Sequence, residues 1–166
     1  MPISPFTRPL LERLAAYMRG FYPNTQFPLE FWHIEDDELF LEALGYLPLM
    51  MDEEMRDWDK LPEGFKIAFP IFWLEDDYQF NGWTALNNAG EWLLPLAVAA
   101  YQRAGMESES KALAAALAAL RNGASDDDEL EAAYKSVPNE YRDDAAKYRA
   151  LLKFFRENSR LFEEAI

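Results

Sequence analysis

A chain of 166 residues is the length of one domain, and half of its residues are apolar, enough for a folded core rather than a disordered tail. It carries 16 Lys and Arg against 30 Asp and Glu, a formal net charge of −14. That balance disfavours direct contact with nucleic acid or with an anionic membrane, because both attract basic surfaces. The absence of Cys removes disulfides, thiolate nucleophiles and Cys-based metal sites, and His33 is the one His.

Few glycines, scarce alternation and a second half rich in Ala, Leu, Glu, Asp and Lys predict an all-α fold: a single compact multi-helix domain of about seven to eight helices. Pro2, Pro5 and Pro9 predict an extended lead-in over residues 1–8, with Thr7 capping a first helix that runs to Gly20. Pro23 and Pro28 keep residues 21–31 irregular. A second helix is expected from Glu35, with acids in its first turn where the helix dipole favours them. Residues 52–59 form an acidic loop or short helix. A third helix runs from Leu61-Pro62-Glu63 to about Phe80, kinked at Pro70 and ended by Asn81-Gly82. A turn over 83–88, a helix over 91–104 closed by Gly105, a helix over 108–121 and a short helix over 126–136 follow. The last helix is expected from Asn139 or Glu140, with Tyr141, Ala145, Tyr148, Leu151, Leu152, Phe155 and Leu161 on one face. The stretch from Phe65 to Gly105, with Trp73, Trp83 and Trp92, has the aromatic density of a core around which the rest packs.

No apolar run approaches the ~18–20 residues that cross a bilayer. The N-terminus lacks the basic and apolar regions of a signal peptide, so a cytoplasmic location is expected. His33 sits between Trp32 and Ile34 and reads as a packed structural residue. No Gly-rich phosphate loop, catalytic triad or cofactor signature is present. What remains is carboxylate chemistry. Glu35, Asp36 and Asp37 could face Glu75, Asp76 and Asp77 as an acid/base pair or divalent-cation site, which would make the protein a metal-dependent hydrolase.

The same carboxylates can instead serve as a surface, and the leading expectation is a non-enzymatic protein without cofactor. Acids three or four apart on a helix lie ~5–6 Å from one another. Rows of them can present a charge pattern that a DNA-binding protein accepts. The candidates are Glu35, Asp36, Asp37 and Glu38; Asp52, Glu53, Glu54, Asp57 and Asp59; Glu75, Asp76 and Asp77; and Asp126, Asp127 and Asp128. Residues 1–83 hold 16 acids against 6 bases, so the first half is the more acidic. The expected partner is a basic protein, either a DNA-binding regulator or a toxin, met by a monomer or homodimer.

The order W-L-E-D-D-Y-Q-F-N-G-W over 73–83, N-N-A-G-E over 87–91 and L-A-V-A-A-Y-Q-R-A-G-M over 96–106 resembles the small bacterial DNA-mimic protein family. Asn81-Gly82, Gly90-Glu91, Ala104-Gly105 and the D-D-E-L-E-A-A-Y run over 127–134 carry the likeness, which covers roughly residues 62–162. Trp83 stands where a second Gly is usual. The resemblance implies an all-helical, non-enzymatic acidic protein that occupies the DNA-binding face of a regulator. Small acidic proteins of this kind also act as immunity proteins that neutralise a toxin such as a nuclease.

Overall fold

The computed structural model describes residues 3–163. Pro9, in a first turn where its missing N–H costs nothing, helps start α1 (Arg8–Phe21), which buries Leu10, Leu11, Leu14, Ala15 and Met18. Thr7 stands at the N-cap, but its hydroxyl caps no helix N–H and turns instead to the Ser4 carbonyl. The lead-in is therefore not extended. The Arg8 N–H bonds to Ser4 O at 2.9 Å and closes a turn ahead of the helix, while residues 1 and 2 lie outside the described residues.

A 3-10 turn, Phe31–His33, leads into α2 (Asp37–Met50). Asp36 caps α2 by accepting the Leu39 N–H at 2.9 Å. The acidic stretch that follows is a 3-10 segment, Glu54–Lys60. Next come α3 (Glu63–Asn81), which continues as one helix through Pro70, and α4 (Thr84–Arg103). The expected turn and separate helix are the two limbs of α4, broken at Gly90, whose φ of +49° only glycine adopts easily. The fold continues with α5 (Glu107–Arg121), α6 (Asp127–Lys135), α7 (Asp144–Glu157) and a 3-10 turn, Ser159–Phe162. With the limbs of α4 taken separately the described residues hold eight α-helices and no strand, and the fold is all-α.

The last helix starts later than Asn139 or Glu140. Asn139 is otherwise engaged: its side chain accepts the Tyr141 N–H at 2.9 Å and donates to Glu109. The cap is Asp143, which accepts from Ala145 N–H at 3.2 Å. The helix also stops before Leu161, with the Asn158 amide on the Phe154 carbonyl at 2.8 Å. Its buried row is Lys147, Leu151 and Phe155, spaced four apart.

Helices adjacent in sequence are mostly adjacent in space: α2 on α3, α3 on α4, α4 on α5 and α5 on α6, with α1 against α2. The central element is α3, buried from Gly64 to Glu75 over most of its circumference. Of the three tryptophans in the presumed core stretch, Trp73 and Trp83 are half-buried. Trp92 is 51% exposed, edge-on to Trp73 at 5.1 Å, so it is not core.

The C-terminal turn is fastened to this helix by one ring. Phe162 is buried and meets Phe31 (4.9 Å), Phe65 (5.2 Å), Trp32 (5.6 Å) and Phe155 (5.7 Å) between centroids. Gly64 makes that seat possible, since a Cβ there would lie 2.7 Å from the Phe162 ring and 2.9 Å from the Leu161 backbone. Gly64→Ala is therefore expected to destabilise the fold by ~1–3 kcal/mol, although alanine is the better helix former. Urea unfolding checks this, and an unchanged or raised midpoint would contradict it.

Candidate functional site

The acidic clusters divide into three uses. At the start of α2, Glu35, Asp36, Asp37 and Glu38 are all exposed. Asp36 is the cap, and Asp37 takes the Arg156 guanidinium at 2.8 Å. Arg156 also donates to Ile34 O (2.6 Å) and lies over the Phe40 ring, so this pair ties α7 to the α2 entry. Glu35, Asp36 and Glu38 take part in no ion pair among the described residues.

In the second cluster, Asp52, Glu53, Asp57 and Asp59 are exposed, but Glu54 is buried. Both Glu54 oxygens lie 2.7 Å from Arg13 Nη2, which also donates to Met50 O at 2.7 Å. Glu54 is therefore corrected from surface contact to internal anchor. Asp57 pairs with Lys60 at 3.1 Å, leaving Asp52 and Asp59 without a cation. In the third cluster, Asp126 caps α6, while Asp127 accepts from the Thr84 hydroxyl (2.7 Å) and Asn87 (3.2 Å) and ties α6 to α4. Asp128 is exposed.

Consecutive helix residues point ~100° apart, and Glu75, Asp76 and Asp77 leave α3 in three directions. Asp77 accepts from Asn81 and, at 2.9 Å, from Asn88. Glu75 goes inward and is 2% exposed, so it too is corrected: a docking protein cannot reach it. Its Oε1 accepts Lys147 Nζ at 3.0 Å and the Tyr101 hydroxyl. Lys147 lies 3.4 Å from Glu109, which accepts the Tyr134 hydroxyl at 2.6 Å and the Asn139 amide. One side chain from each of α3, α4, α5, α6 and α7 thus meets in one buried cluster. None of these groups is a free nucleophile.

Burial pushes the Glu75 carboxyl up from its ordinary 4.5, against the pull of Lys147 and Tyr101. The ammonium of Lys147 is also pushed up, since the two carboxylates outweigh its own desolvation. Burial holds the Tyr101 hydroxyl protonated, as a donor.

The remaining carboxylate of the Glu75-Asp76-Asp77 run, Asp76, faces α2 across a groove of ≈550 Å³. From α2 the groove receives Glu38, Glu42, Tyr46 and Leu49; α1 adds Tyr17, α7 adds Tyr148, and α3 adds Phe80. Gly45 sits opposite Asp76, where a Cβ would be 3.4 Å from Oδ1. Glu42 is held by the hydroxyls of Tyr22 (2.6 Å) and Tyr46 (3.0 Å). Tyr46 packs edge-on to Tyr17 at 4.9 Å and stacks on Phe21 at 5.7 Å. Phe80 is 87% exposed and Leu49 62%. Three carboxylates line this groove and no Lys, Arg or His does. Desolvation, then the charge of Glu75, pushes the Asp76 carboxyl up to about 7.

Glu38 and Asp76 therefore border one groove, but Glu35, Asp36 and Asp37, which the acid/base reading set against Glu75, Asp76 and Asp77, do not line it. Among the described residues, no three of His, Asp and Glu are grouped to hold a metal ion. His33 is exposed, not packed, with Nδ1 3.1 Å from Glu30. Sequence reasoning missed Glu42, Tyr46 and Phe80. The signal for the first two was the row Glu38, Glu42, Tyr46 at helical spacing on α2.

Lys147→Met leaves two buried carboxylates without a counter-charge. It should cost about 3–5 kcal/mol at pH 7.5. A carboxyl whose folded pKa lies above its unfolded value contributes stability that is full at low pH and is lost as pH rises through the folded value. The deficit of the variant should therefore shrink as pH falls and Glu75 takes up a proton. Urea unfolding of both proteins across pH 5–8 measures this, and a pH-independent deficit would contradict it.

No family model, curated protein or solved structure matches this chain, so the groove is read from its own chemistry.

Proposed function

We propose that this protein is a non-enzymatic acidic interaction protein that occupies the basic, nucleic-acid-binding surface of another protein, in the manner of a DNA mimic. The observation that carries the reading is the run of carboxylates along α2 and across to α3, namely Glu35, Asp36, Glu38, Glu42 and Asp76. None of them is ion-paired among the described residues, and the groove that Glu38, Glu42 and Asp76 border has no Lys, Arg or His in its lining. Carboxylates that pack a fold acquire partners, as Glu54, Glu75 and Glu109 do. A row left without cations is complementary to a basic surface and raises the rate of encounter with it. The resemblance over residues 62–162 agrees with this role. Among the described residues, no helix is long and apolar enough to cross a membrane.

The test is capture of partners from a lysate of the source organism at low and high salt, followed by competition. The captured protein should be basic and released by salt, and its binding to DNA should be displaced by this protein. Neutralising Glu35, Glu38 and Asp52 together to the amides should slow association several-fold at low salt and matter little at high salt. Capture of a nuclease whose activity is blocked would assign the immunity role instead. Binding that is indifferent to salt would sink both.

A further inference from the structure

The groove between α2 and α3 combines features that an acidic surface alone does not need. A purely electrostatic surface gains nothing from exposed apolar side chains, yet Leu49 and Phe80 stand 62% and 87% exposed at its rim. Tyr17 and Phe21, also exposed, pack against Tyr46 beside it. Large apolar side chains gathered at one groove mark a docking site. The floor carries Asp76, partly desolvated, with no donor or cation to answer its charge.

The surroundings of Asp76 supply none. On α2 it faces Glu38 and Glu42, both acidic, and Tyr46. On α3 its neighbours are Glu75 and Gln79. Tyr148 projects from α7, and the nearby Lys147 is taken by Glu75 and Glu109. Aromatic rings around carboxylates suit a cation with an apolar body, since such rings attract cations as well as hydrocarbon. No sheet edge exists among the described residues to receive an extended strand, so a chain entering between two helices is accommodated as a helix.

We propose that this groove docks a basic amphipathic helix of the partner protein, with one Lys or Arg on Asp76 and the apolar face against Leu49 and Phe80. The proposal rests on the interaction role above and gives that role a location. Asp76 must be ionised to hold the cation. Affinity should therefore rise with pH through about 7, the value to which burial lifts this carboxyl, and the bound cation should in turn pull that value down.

The probe is a synthetic helical peptide of Leu and Lys with one apolar face, titrated by calorimetry at pH 6, 7 and 8. Controls are a Lys-Gly peptide of equal charge and the variants Asp76→Asn, Phe80→Ser and Glu129→Gln. Phe80 is nearly free of the fold and Asp76→Asn preserves shape, so both variants should fold, which circular dichroism verifies. The amphipathic peptide should bind, the Lys-Gly peptide should bind about tenfold more weakly, and Asp76→Asn and Phe80→Ser should each lose about tenfold. Glu129→Gln, at an exposed position on α6, should change little, and Asp76→Asn should abolish the pH dependence. No binding of the peptide, or equal binding by the Asp76 and Phe80 variants, overturns the proposal. Self-association at high concentration that Phe80→Ser abolishes would also overturn it, since the groove would then receive a second copy of this chain. Salt-sensitive capture of a basic partner that survives Phe80→Ser and Asp76→Asn would leave the interaction role standing and remove only this site.

Discussion

The ammonium of Lys147 lies between the carboxylates of Glu75 and Glu109, at 3.0 and 3.4 Å, with all three side chains no more than 5% exposed. Around them, Tyr101 and Tyr134 direct their hydroxyls at the two acids. Through these five side chains, α3, α4, α5, α6 and α7 are fixed to one point. Removing two carboxylates and an ammonium from water costs several kcal/mol per ion before attraction and hydrogen bonding repay it. An apolar filling of the same volume could be as stable. What the charged cluster adds is registry: a helix that slides by one turn leaves a buried charge without its partner, and that state is strongly disfavoured. The short α6 enters the cluster through Tyr134. It buries only Leu130 and Tyr134.

That inner cluster shapes the outer surface. Because Glu75 is drawn inward, the helical rotation of α3 turns Asp76 toward α2 and Asp77 toward Asn81 and Asn88. The charge of Glu75 then raises the pKa of Asp76, so the inner carboxylate affects the protonation of the groove. The net charge of −14 is therefore not one quantity spread over a surface. Part of it caps helices, as at Asp36, Asp126 and Asp143. Part fastens elements together, as at Asp37, Glu54 and Asp127. The remainder includes Glu35, Glu38 and Asp76, which take part in no ion pair among the described residues and are what a basic partner would meet.

The helices and their ends were largely legible from the chain. Asp126 before α6, and Gly82 and Gly105 after α3 and α4, act through contacts within a few residues, which is the range over which capping and glycine conformation operate, whereas Asp36, expected within the first turn of α2, is its cap. The start of α7 was misread because Asn139, a good local cap, is engaged by Glu109 thirty residues away. Gly90 was read as a boundary and is a break within one element. On α7, Lys147 shares the buried row with Leu151 and Phe155, and a polar residue at an apolar position was the trace of the inner cluster.

The sequence by itself determined an all-helical chain, the approximate bounds of its helices and an excess of negative charge, because propensity, capping and composition are local or additive. Only the tertiary structure decided which carboxylates that charge consists of on the outside. Glu75 and Asp76 are neighbours in the chain and equivalent in composition. One is enclosed by a lysine 72 positions away, and the other opens into a groove made by a different helix. That assignment depends on which helices pack together, and no local pattern carries it.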